Sequence, residues 1–149
     1  MATIDPATAA ALDFPLTRVT ARYQQLYAVA PIDVARRERE LKRYLVLRSK
    51  HPDDALPITK PLDELWHLFL LDTREYSAFC ETLGRGFIHH VPGEPSRSGA
   101  ASAEGYRAML ELYEQVFSEL PPPDVWPPIG VRSIKLGDCD SALEQVEVK

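Results

Sequence analysis

The sequence predicts an all-α domain, a compact bundle of four main helices. Apolar residues recur at three- and four-residue spacing in four long segments, which places them on one face of a helix. Pro15, Pro31, Pro52, Pro57, Pro61, Pro92, Pro95, Pro121–Pro123 and Pro127–Pro128 all fall between those segments, where helices stop or start. A chain of 149 residues is one domain by size, with a core that needs no staple.

Asp5–Ala11 reads as a short extra helix. The first main helix runs from about Leu16 to Val29, with Val19, Tyr23, Leu26 and Tyr27 at helical spacing and Thr17 as cap. The second runs from about Val34 to Ser49 behind Asp33 as N-cap. Its stripe is Val34, Leu41, Tyr44, Leu45 and Arg48. The interleaved Arg36, Arg37, Arg39, Lys42 and Arg43 with Glu38 and Glu40 read as a solvated face, with Glu38 and Lys42 paired at i,i+4. His51–Pro57 is a loop. The third helix extends from about Pro61 to Leu83 and stops at Gly84; it is apolar enough to form the centre of the domain. Phe87–Val91 is extended and Pro92–Ala101 is a loop. Ser102 caps a fourth helix from Ala103 to Leu120, with the stripe Tyr106, Met109, Leu110, Tyr113, Val116, Phe117 and Leu120. Asp124–Ile129 is an extended strap anchored by Trp126. The domain spans residues 1–136, and Gly137–Lys149, acidic and poor in large apolar residues, reads as a flexible tail.

The net charge of −5 excludes a general electrostatic attraction to nucleic acid or anionic lipid. The uncharged apolar runs, Leu68–Leu71 among them, are far too short to cross a bilayer. Met1–Pro6 has no basic stretch followed by an apolar one, so no signal peptide is expected and the cytoplasm is the expected compartment. There Cys80 and Cys139 are free thiols, Cys80 a small core residue and Cys139 part of the tail.

Three of the four histidines fall within 24 residues, in Leu62-Asp63-Glu64-Leu65-Trp66-His67 and Gly86-Phe87-Ile88-His89-His90-Val91-Pro92. On a helical wheel Asp63, His67 and Arg74 share a sector of about 40°. Asp63 and His67 are i,i+4 neighbours, so the carboxylate can orient the imidazole or share a ligand with it. Cys80 lies about 220° around and about 20 Å along, which rejects a His67–Cys80 site. From Gly84 to His89 an extended chain reaches about 17 Å, enough for a reversal to carry a histidine back. Neighbouring residues of an extended segment point to opposite sides, so at most one of His89 and His90 faces the helix. Asp63, His67 and one of His89 and His90 can hold zinc or another divalent metal with open positions, and Arg74 is available to an anionic ligand. Core-edge histidines bonded to Asp63 and backbone carbonyls, and metal-free acid–base chemistry, stay open beside that reading. No GxSxG, phosphate-binding glycine loop, HExxH or CxxC is present.

The sequence resembles the glycine-rich domain-containing protein family of plants and bacteria. The resemblance rests on Asp63-Glu64-Leu65-Trp66-His67, Asp72-Thr73-Arg74-Glu75-Tyr76, Phe79-Cys80, Gly86 through Pro92, and Phe117 through Pro127, with Arg43-Tyr44-Leu45 and His51-Pro52 upstream. It spans about Arg36 to Pro128, and Phe69 stands where those relatives often carry the second histidine of Trp-His-x-His. It implies a compact helical domain with a histidine-containing site.

The leading expectation is a small soluble binding module with a histidine-centred site for a divalent metal. The alternatives are a protein-interaction domain whose histidine motifs are architectural, and a metal-dependent hydrolase or oxygenase. A protein partner is plausible, and neither nucleic acid nor a membrane is expected.

Overall fold

The computed structural model describes residues 3–54, 56–90 and 103–128 in full, and 99–102, 134–136 and 144–146 by their backbone. Six helices form the described domain: α1 (Pro6–Leu12), α2 (Thr17–Tyr27), α3 (Pro31–Lys50), α4 (Lys60–Leu71), α5 (Thr73–Leu83) and α6 (Gly99–Phe117). The all-α expectation holds.

Several boundaries differ from those expected, each for a local reason. Thr17 is the first helical residue; Leu16 holds the cap position, buried, with its N–H donated to Glu38 Oε1 at 3.2 Å. Pro31 opens α3 one turn early, since a proline at N1 has its φ preset and lacks an N–H the helix would leave orphaned, so Asp33 sits in the first turn. Gly99-Ala100-Ala101 is helical, which leaves Ser102 inside α6. Ser118 takes a left-handed φ of 53° after Phe117, so Leu120 falls outside the stripe and is 76% exposed. Val91 and 92–98 of the expected loop, and Ile129 of the strap, lie outside the described residues.

The largest correction concerns the expected third helix, which is two helices. Asp72 ends α4 and starts α5 with φ −87° and ψ 73°, a conformation outside the helix. One guanidinium nitrogen of Arg18 spans both Asp72 oxygens at 3.0 and 2.9 Å, tying the break to α2. The wheel that joined Arg74 to Asp63 and His67 assumed an unbroken helix. Arg74 lies on α5 and is exposed.

α4 packs against α2, α3 and α5, and α3 also packs against α1, α2 and α6. Their buried faces share one core that includes Tyr23, Tyr44, Trp66, Phe69, Tyr76 and Trp126. α1 is capped by Asp5, which accepts from the Thr8 N–H and hydroxyl at 3.0 and 2.8 Å. Where an extended strap is expected the chain turns, with the N–H groups of Val125 and Trp126 donating to the Pro122 carbonyl at 3.1 and 2.8 Å. Trp126, 1% exposed, anchors the turn over α3 and α6, its indole donating to Glu40 Oε1 at 3.2 Å, and Tyr106 donates to the Pro127 carbonyl at 2.6 Å. Ile134–Leu136 (β1) pairs antiparallel with Glu144–Val146 (β2), across the point where the tail is expected to begin. The rest of 137–149, Cys139 included, lies outside the described residues.

The charged face of α3 is not simply solvated. Glu40, Lys42 and Arg43 are buried. Tyr113 donates to Glu40 at 2.6 Å, and Arg43 donates to the Tyr113 hydroxyl at 2.7 Å and to Glu119 at 2.9 Å. These contacts join α3 to α6. Burial pushes the Glu40 carboxyl above its ordinary 4.5, while Tyr113, Arg43 and Arg39 pull the other way. A carboxyl raised in the folded state keeps its proton there after the unfolded chain has lost it. Glu40 therefore lowers stability as pH rises from 4.5 through its folded value. Glu40→Gln removes that titration. In urea unfolding between pH 4 and 7 the variant is expected to gain stability relative to the parent as pH rises. A difference independent of pH would show that folding leaves this carboxyl's titration unchanged.

Candidate metal centre

Asp63 lies in the first turn of α4, where the positive end of the helix dipole favours a carboxylate. It is 3% exposed, and such a buried charge needs partners. His67, one turn on, places Nδ1 3.6 Å from Asp63 Oδ2, with its side chain 39% exposed. The third group arrives from beyond α5. Gly84 and Gly86 take φ of +65° and +91°, which reverses the chain; an added Cβ would meet nothing within 4 Å at either, so glycine is needed there for backbone conformation alone.

Residues 87–90 then alternate. Ile88 is buried and His89 exposed, and His90 turns inward to bring Nε2 within 2.6 Å of Asp63 Oδ1. Three contacts hold this register. Tyr76 donates to the Ile88 carbonyl at 2.5 Å and accepts from the Trp66 indole at 3.1 Å, and Arg48 donates to the His89 carbonyl at 3.1 Å. The His90 ring stacks on Trp66 at 4.0 Å and on His67 at 4.8 Å.

Among the described residues, Asp63, His67 and His90 form one group whose donor atoms all lie within 4.8 Å of one another. Donors placed about 2.1 Å from a tetrahedral ion stand about 3.4 Å apart. Seating an ion there requires the widest spacing of the set to close and the 2.6 Å contact between His90 Nε2 and Asp63 Oδ1 to open. Two imidazoles and one carboxylate suit zinc or iron(II), and three protein donors leave positions open.

Asp63 and His67 stand as the sequence places them. His89 is not brought to the site, because the alternation turns it outward, and Arg74 is on the wrong helix. Cys80 is buried and free, its thiol pushed up by burial, and it takes no part. Trp66, Tyr76 and Arg48 were not anticipated as parts of the site. Arg48 had a signal: it is the one charged residue in the expected apolar stripe of α3. Tyr27, 44% exposed, has its phenol pushed up first by burial and then by the charges of Glu64 and Asp63.

A family model described as UCP032817-like matches residues 10–116. That segment contains Asp63, His67, Arg48 and His90. No curated protein and no solved structure matches the chain. The match overturns the resemblance to glycine-rich domain-containing proteins. The short aromatic and proline pieces that suggested it are in large part packing groups: Trp66, Tyr76, Phe79 and Trp126 are all buried. Over two-thirds of the chain fits a different model, and the protein belongs to the UCP032817-like family.

Proposed function

We propose that this chain is a small binding module built around a divalent metal ion, zinc foremost, held by Asp63, His67 and His90. The convergence of these three donors carries the reading. His90 is 27 residues from Asp63 in sequence, yet its imidazole is delivered to the carboxylate by a backbone held at two successive carbonyls. Asp63 supplies the negative charge, the neutral imidazoles supply two nitrogens, and the open positions admit a ligand from outside. Such a module fits the reducing cytoplasm, where Cys80 stays a free thiol. Among the described residues no helix is long and apolar enough to cross a membrane.

Elemental analysis of protein purified without a histidine tag, followed by zinc calorimetry, tests the proposal. About one ion per chain is expected. Substoichiometric metal that does not rise on adding zinc would overturn it and leave the triad as architecture in an interaction domain. A metal-dependent hydrolase or oxygenase is a second reading. The exposure of the His67 side chain favours it, since solvent and a small substrate can reach an ion bound there.

A further inference from the structure

Arg48 is half-buried on α3, one turn beyond Tyr44. Its Nη2 donates to the carbonyl that immediately precedes His90. Its guanidinium carbon lies 6.0 Å from the ring centroid of Trp66, the same indole on which His90 stacks at 4.0 Å. Tyr44 packs its ring 5.7 Å from that same indole.

Seven of the thirteen arginines and lysines described in full are matched. Arg18, Arg36, Arg39, Lys42, Arg43, Lys50 and Lys60 each lie within 4.0 Å of a carboxylate. Among the described residues Arg48 has no such partner, although the chain carries an excess of acids. One hydrogen bond to a carbonyl leaves most of its five N–H donors unused. A divalent ion on Asp63 and two neutral imidazoles retains one positive charge, and Arg48 adds a second. Glu64, next to Asp63 on α4, is engaged by Lys60 at 3.7 Å.

We propose that the centre takes a small oxyanion, a carboxylate or phosphate group, with one oxygen on the bound metal and another on the Arg48 guanidinium. This rests on the metal reading above. The planar guanidinium fork matches both groups, and an anion there neutralises a partly desolvated excess of positive charge. The acidic surface of the chain disfavours a long polyanion, so the ligand is a small molecule or a single anionic group.

Cobalt(II) serves as the probe, because its visible absorption reports both loading and a change of ligands. Wild type, Arg48→Met and Arg48→Lys are loaded with cobalt and titrated separately with inorganic phosphate and with acetate. Because Arg48 also holds the carbonyl before His90, the variants are expected to load less tightly, so each protein is first saturated with cobalt, as its absorption shows, and the anion is then added. At least one anion should shift the wild-type spectrum, and which one does so identifies the group. Arg48→Met should weaken that response by about tenfold or more, and Arg48→Lys, which keeps the charge without the fork, by less. Should Arg48→Met fail to fold, Arg48→Lys decides by the same weakening. Loaded wild type that ignores both anions, or variants that respond like wild type, would overturn the oxyanion and leave the metal standing. Wild type that takes up no cobalt would overturn the metal reading itself.

Discussion

Trp66→Ala is expected to lower the stability of the domain by about 3–5 kcal/mol, the range for emptying a large buried aromatic site. Trp66 is 2% exposed and sits where three segments meet. Its ring lies 5.7 Å from Tyr44 of α3 and 4.0 Å from His90, and its N–H reaches the Tyr76 hydroxyl of α5. Removing it opens a cavity and withdraws the surface on which His90 rests. Trp66→Phe keeps a ring and loses the donor, so it should cost about 1–3 kcal/mol. Urea unfolding at neutral pH measures both. A loss below about 1 kcal/mol for the alanine variant would show that the indole does not hold the junction.

His90→Ala is expected to weaken zinc binding by at least about 100-fold, since even partners that only orient a ligand are worth about 10–100-fold. The matched control is His89→Ala. His89 is one residue away, equally able to bind zinc in a peptide, and exposed. It should leave zinc affinity unchanged and stability within about 0.5 kcal/mol. Calorimetry on the two variants therefore measures which face of the returning segment meets α4. Equal losses from both, or a larger loss from His89→Ala, would refute the assignment of His90.

The helices were legible because their cause is local. Buried faces of α2, α3 and α6 repeat at helical spacing, and prolines and glycines mark many of the ends. The break at Asp72 was legible too, and was missed. Asp72-Thr73-Arg74-Glu75 places a good N-cap residue and an acid three positions later inside an apolar run. The apolar residues on either side outweighed it, and the error carried Arg74 into the site. The burial of Glu40 and Arg43 was not legible. A face rich in charge reads as solvated until Tyr113 and Glu119, 70 or more residues away, are known to cover it.

The pairing of Asp63 with His67 follows from sequence alone, because four positions along a helix are neighbours wherever the helix lies. Sequence also sufficed to say that no more than one of the adjacent histidines turns inward, since that is a property of an extended backbone. Which one does so was decided by tertiary structure. The phase of the returning segment is set by the Tyr76 bond to the Ile88 carbonyl and the Arg48 bond to the His89 carbonyl, and a slip of one residue would exchange the two imidazoles. The same contacts place Arg48 against the segment that carries His90, while Arg74 lies exposed on α5. Periodicity reports what neighbours in the chain share, while the partner of a carbonyl 41 residues away depends on how the helices pack.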